Sequence, residues 1–201
     1  MNVETHPWKP FIPPRARILF LGSFPPPEKR WSMPFFYPNL QNDFWRIMGL
    51  IYFEDKNAFL TPDLKRFNQD KIERFLEMQK IALYDTGAKV IRLDGNASDN
   101  RLQIIEPVKL DELLRHAPEC NTLAATGQKA LEEILKQTSP GNEGIALALG
   151  DFLHVTLQGR AIRLFRMPSS SRAYPKSVEW KAALYRRALE NAASGFSSSD
   201  V

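Results

Sequence analysis

Tyr37 and Asn42 stand five residues apart in FFYPNLQNDFWRI, residues 35–47, where aromatic rings and uncharged amides replace the Leu, Ile and Val of an ordinary core segment. A flat ring can stack on a flat ligand, and a carboxamide can donate and accept hydrogen bonds without burying a charge. Asn42 read alone is equally a helix cap before Phe44-Trp45-Arg46. Phe44 and Trp45 are expected in the core, while Trp31, Phe35 and Phe36 fit either a pocket wall or a surface loop.

Two other stretches carry suitable chemistry. In GSFPPP, residues 22–27, Gly22 lets a backbone approach a ligand, Ser23 adds a small hydroxyl, and the prolines stiffen the chain into a preformed pocket floor. In MPSSSRAYP, residues 167–175, the hydroxyls and N–H groups of Ser169, Ser170 and Ser171 can approach a phosphate closely. Arg172 would pair with that phosphate or fill a gap left by a displaced group. The same residues also suit a Ser/Pro turn entering the last helix, with Ser177 near its cap.

Other chemistries lack their residues. There is no glycine-rich phosphate cradle, and no G-x-S-x-G surrounds Ser23. The single cysteine, Cys120, excludes an internal disulfide, and His6, His116 and His154 show no metal-ligand spacing. No metal and no cofactor are expected.

These loops need a scaffold. RILFLGSF (17–24), IALYDTG (81–87), NTLAATG (121–127) and AIRLFRMPS (161–169) read as buried strands, each ending in small or turn-forming residues. FLHVTLQG (152–159) reads as a hairpin partner for the fourth, with Gly159 at the turn. Helical patterns lie between: one from Thr61-Pro62-Asp63 carrying Ile72, Phe75 and Leu76; one after Gly127 with Leu131, Ile134 and Leu135; and a last stripe of Val178, Ala182, Tyr185, Leu189 and Ala192. Alternating strands and helices predict an α/β fold, a three-layer α/β/α sandwich around a central, mostly parallel four-stranded sheet. Ligands bind such sheets beyond the carboxyl ends of the strands, where the loops after Phe24 and Met167 begin. One domain over 1–193 and a flexible tail over 194–201 are expected.

The chain has 201 residues, 43% hydrophobic and 25% charged, as in an ordinary globular protein, and no apolar run approaches the roughly 20 residues of a membrane span. MNVETHPWKPFIPPRAR does not read as a secretory signal, so a cytoplasmic monomer is expected. The net charge of +4 is modest, but eight basic residues against Glu179 between Arg160 and Arg187 suggest a positive face. A solvated helix face and strand edge would read the same way.

GSFPP, FYPNLQNDFWRI and MPSSSRA together resemble the uracil-DNA glycosylase superfamily, most closely its hypoxanthine-DNA and mismatch-specific branches, over residues from about 15 to about 190. TGQKAL, residues 126–131, is similar to the family's glycine turn opening the helix after its third strand. The resemblance implies a monofunctional DNA glycosylase that flips out a deaminated base, hypoxanthine or uracil, and hydrolyses its N-glycosidic bond to leave an abasic site. Tyr37 then occupies the base-stacking position and Asn42 matches the asparagine that positions the attacking water. Backbone N–H groups near Gly22, Ser23 and Phe24 could stabilise the departing anion.

The sequence departs from the family at three points. Many members carry an Asn or Asp in the first motif, where Gly22-Ser23-Phe24 stands, so the hydrolytic residue cannot come from there. Met167-Pro168-Ser169 replaces a histidine, leaving no imidazole to neutralise a uracil O2 anion, and Arg172 replaces a proline. Asp99 is expected to cap a segment starting at Asn100. No lysine nucleophile for imine chemistry is recognisable. Two other readings stay open: a nucleic-acid-binding module with weak chemistry, and an enzyme acting on free nucleosides.

Overall fold

Five consecutive buried residues place β2 (Ile18–Gly22) at the centre of the molecule. In the computed structural model, which describes residues 2–93, 101–138, 146–157 and 159–194, this strand lies between β3 (Ile81–Asp85) and β6 (Thr122–Ala125), parallel to both. β8 (Arg160–Arg166) adds a fourth parallel strand beside β6, and β7 (Phe152–Leu157) pairs antiparallel with β8, giving the order β3-β2-β6-β8-β7. All four expected parallel strands are present, and the hairpin partner extends the sheet to five. Gly159 takes the left-handed φ of 74° that the hairpin turn requires.

Alternation along β2 divides the core into two layers. Ile18 and Phe20 face α1 (Phe44–Phe53), α2 (Gln69–Gln79) and α5 (Val178–Ser194), where Trp45, Phe75 and Tyr185 pack. Leu19 and Leu21 face α3 (Leu110–Arg115) and α4 (Gln128–Leu135), against Leu113, Leu114, Leu131 and Ile134. Each such large apolar side chain contributes about 1.5–3 kcal/mol by leaving water. The result is the three-layer α/β/α sandwich. Among the described residues, no helix is long and apolar enough to cross a membrane.

The sequence reading missed a second sheet. β1 (Val3–Thr5), β4 (Gly87–Arg92) and β5 (Leu102–Pro107) form an antiparallel sheet in the order β1-β4-β5, so the N-terminal segment is held in the fold. Phe11 also bridges Leu83 on the outer edge of β3 through two backbone hydrogen bonds of 3.1 and 2.9 Å.

Helix α2 begins later than expected. Thr61 does not cap it: its Oγ1 donates to Asp63 Oδ1 at 2.6 Å, and its N–H donates to the Arg66 carbonyl at 2.8 Å, closing a separate turn. Asn68 is the cap, accepting from the Lys71 N–H at 3.1 Å. Local hydrogen bonding by Thr and Asp competes with helix entry and delays it by two turns. Ser177 takes its expected role, accepting the Trp180 N–H at 3.2 Å where α5 begins. Asp99 and residues 195–201 lie outside the described residues.

Candidate active site

The carboxyl ends of β2, β3, β6 and β8 open into one cleft of about 870 Å³. Gly22, Ser23, Phe24, Tyr37, Asn42, Ser169, Ser170 and Ser171 all line it; Arg172 does not. The three sequence motifs therefore meet at one place, although Tyr37 and Ser171 are separated by most of the chain.

Tyr37 has a left-handed backbone, φ 51°, which costs a bulky residue about 1–3 kcal/mol and must be held by its surroundings. One ring face stacks on Phe44, centroids 3.9 Å apart and 8° from parallel. The hydroxyl lies 3.0 Å from Thr126 Oγ1, which donates its own proton to the Leu21 carbonyl at 3.2 Å, so the phenol is the donor. Phe44 is itself wedged edge-on against Phe20 and Trp45. Phe35 and Phe36 are core, while Trp31 is half-buried, its Nε1 donating to the Pro26 carbonyl at 2.7 Å.

Asn42 sits at the entrance to α1. Its Oδ1 accepts the Phe44 N–H at 2.9 Å, which fixes which amide atom is oxygen and leaves the NH2 and one lone pair uncommitted by that bond. The N-cap position of α1 is taken by Asp43, so Asn42 stands one residue before the cap, closing a turn onto the first helical N–H while it lines the cleft. Its backbone pairs antiparallel with Ser171, flanked by Asp43 N–H to the Ser170 carbonyl at 2.7 Å and Arg172 N–H to the Gln41 carbonyl at 3.2 Å.

A buried ionic cluster locks this junction. The Lys181 ammonium, fully enclosed, donates to Asp43 Oδ2 at 3.0 Å and to the Ser171 carbonyl at 2.9 Å, while Arg172 Nε meets Asp43 Oδ1 at 3.1 Å. Tyr185 Oη donates to the Pro168 carbonyl at 2.9 Å, and burial pushes its phenol pKa well up. A buried lysine exists after all, but acceptors surround it and it does not line the cleft. Arg172, half exposed, ties the loop to Asp43 from the outer side of this junction.

The expected positive face is divided: Arg163 and Lys181 are buried and Arg160 and Arg166 half-buried, whereas Arg172, Lys176, Arg186 and Arg187 are exposed. Arg160 donates to the carbonyls of Leu114, Pro118 and Cys120, Arg163 is buried in the sheet, Arg166 donates to Leu147, and Arg187 pairs with Asp151. Backbone carbonyls freed at strand and loop ends attract these guanidinium groups. Three cations line the cleft, Arg166 together with Arg30 and Lys129.

Sequence reasoning missed Asp85 and His6. Asp85 ends β3 in register with Gly22, lines the cleft, and is buried. Its Oδ1 fills the space where a β-carbon on Gly22 would lie, so glycine is there to admit the carboxylate. Its Oδ2 accepts from His6 Nε2 at 2.9 Å. An imidazole from the N-terminal segment therefore stands behind Asp85 without lining the cleft itself. An acid closing the buried strand IALYD was a usable signal; nothing local marked His6.

No family model matches the chain, and no curated protein matches it. Among solved structures, the chain is similar to a candidate uracil DNA glycosylase from Methanosarcina acetivorans, determined by solution NMR, with a TM-score of 0.60 and 21% identity. The match covers 94% of this chain and 100% of that one. The likeness is one of fold: the mixed α/β sandwich with its central, mostly parallel sheet.

Proposed function

We propose that this chain is a monofunctional DNA glycosylase of the uracil-DNA glycosylase superfamily, nearest the hypoxanthine branch, that excises a deaminated base and leaves an abasic site. The observation that carries this reading is the convergence of a stacking ring, Tyr37, a carboxamide, Asn42, and a carboxylate, Asp85, on one cleft at the carboxyl ends of the strands. Its volume is within the range of sites that enclose a drug-sized ligand.

In this reading the flipped base lies on the face of Tyr37 opposite Phe44, a contact worth about 1–3 kcal/mol. Asp85 accepts hydrogen bonds and cannot donate them when ionised. That suits the ring N–H that deamination creates at N1 of hypoxanthine or N3 of uracil, where adenine and cytosine present a lone pair. Asn42 orients the water. The C1′–N bond breaks with its electron pair leaving on the base, the water oxygen bonds C1′, and the water's proton is taken up by the base or solvent. Arg30 and Lys129 approach the phosphates flanking the flipped nucleotide, with the serine loop beside them. Lys181 is enclosed by its acceptors and Lys129 is assigned to the phosphates, so in this reading no lysine forms an imine and the strand stays uncut.

Duplexes carrying deoxyinosine, deoxyuridine or deoxyxanthosine opposite each base, incubated with the protein and then treated with alkali, test the proposal. Alkali-dependent breaks at one of them are expected; intact strands throughout would overturn it. One observation favours a second reading, hydrolysis of free nucleosides: of the basic residues between 160 and 187, Arg166 alone lines the cleft. Turnover of free deoxyinosine or deoxyuridine with inert duplexes would establish that alternative.

A further inference from the structure

His6 is placed with unusual completeness for a residue so near the start of the chain. Strand β1 pairs Thr5 with Lys89, the His6 N–H donates to the Ala88 carbonyl at 2.8 Å, and the Phe11 bridge to Leu83 fixes the other end of the segment. Between these anchors the imidazole, its side chain 3% exposed, is enclosed by Trp8, Phe24, Phe36 and Tyr84. Its Nε2 meets Asp85 Oδ2 at 2.9 Å.

The second ring nitrogen has a partner for either protonation state. Nδ1 lies 2.8 Å from the Trp8 carbonyl, which accepts when the ring is protonated, and 3.2 Å from the Trp8 N–H, which donates when it is neutral. A buried imidazole that must keep one state needs only one of these. This one can gain or lose a proton without stranding a polar atom.

We propose that His6 is a positioning residue of the cleft: it holds the Asp85 carboxylate with Oδ1 toward the pocket and, as imidazolium, cancels the carboxylate's charge while the base departs as an anion. The inference rests on the glycosylase reading above. Bond cleavage builds negative charge on a ring that Asp85 faces, and an uncompensated carboxylate would oppose it. No proton is transferred from His6; its charge acts through Asp85.

The titratable groups packed on the imidazole are Asp85 and Tyr84, both from β3. From β4, the Arg92 guanidinium lies over the Phe24 ring and is paired with Glu4 of β1. Arg30, Lys129, Arg166 and Glu132 line the cleft, as Asp85 does. Among the described residues that line the cleft or touch the His6 ring there is no other imidazole.

The test measures single-turnover excision from the preferred duplex between about pH 5 and about pH 9 for the wild type, His6→Gln and Asp85→Asn. The wild-type rate is expected to fall as pH rises through the imidazole titration. His6→Gln, which can still donate to Asp85 but cannot carry a charge, is expected to lose that limb and to be slower on the order of 100-fold at the acid end, with DNA affinity unchanged. Asp85→Asn should also lose the limb, because no carboxylate remains to be neutralised, and it keeps the idea open to refutation should His6→Gln fail to fold. An active wild type whose pH limb survives either substitution would overturn the role of His6 alone. A wild type inert on every duplex would overturn this role together with the glycosylase reading.

Discussion

Asp85 Oδ1 occupies the volume that a side chain on Gly22 would need, so the last residues of two adjacent parallel strands define each other. Glycine at position 22 follows from the carboxylate beside it, and the pair forms the floor of the cleft. Gly22→Ala is accordingly expected to destabilise the fold by about 1–3 kcal/mol through overpacking and to abolish most excision. Asp85→Ala in the same chain should restore stability without restoring activity. Urea unfolding of the two single variants and the double variant measures the coupling.

Asn42 serves the helix through Oδ1 and, in the proposed mechanism, water through the rest of its amide. Asn42→Ala should cost about 0.5–2 kcal/mol of stability and most of the turnover while DNA affinity is retained. Asn42→Asp keeps an oxygen for the Phe44 N–H and removes the donor. It should melt near the wild type yet excise poorly, and full activity in Asn42→Asp would show that the amide donor is not needed.

Tyr37 separates ring from hydroxyl. Tyr37→Phe keeps the stack on Phe44 and loses the bond to Thr126, for an expected cost of about 0.5–1.5 kcal/mol in stability and little change in DNA binding. Tyr37→Ala removes the platform and should weaken DNA binding by about 1–3 kcal/mol, read by fluorescence anisotropy against a lesion-containing duplex.

Lys181 and Asp43 form a pair sealed from solvent on which the 167–175 loop depends. Lys181→Met should cost about 3–5 kcal/mol, because it leaves a buried carboxylate without its enclosed cation and with the half-exposed Arg172 as its remaining ion pair. Adding Asp43→Asn should recover part of that loss. Chemical denaturation gives both values, and a Lys181→Met variant as stable as the wild type would remove this pair from the account of the loop.

Burial pushes Tyr52 up to about 12 and raises Tyr185 as well. In the unfolded chain both phenols ionise near pH 10, so between that pH and the folded values the native state holds more protons. The stability these phenols contribute is present below about pH 10 and lost as pH rises beyond it. Tyrosinate absorbance should show these two phenols still protonated above about pH 10, followed by a cooperative step at unfolding.

Strand and helix identity were legible because hydrophobic periodicity is a local property. The five-residue apolar run of β2, the stripe on α5 and the hairpin at Gly159 needed no knowledge of their neighbours. Thr61-Pro62-Asp63 misled because the same Thr and Asp side chains that cap helices also close turns, and the bridge between Leu60 and Phe67 selects the turn. The second sheet escaped because β1 is three residues long and half exposed, too short for its alternation to stand out.

The sequence by itself determined the alternation of elements, hence the sandwich, and the positions of two unusual loops at the ends of its strands, because backbone preference and burial act over a few residues at a time. Tertiary structure decided which charges those loops would meet. His6 reaches Asp85 across 79 positions and Lys181 reaches Asp43 across 138, through strand register and helix docking that no local pattern encodes. An ionisable group reads the same on the page whether it faces water, a carbonyl or a cleft, and only the folded chain sets which of these it finds.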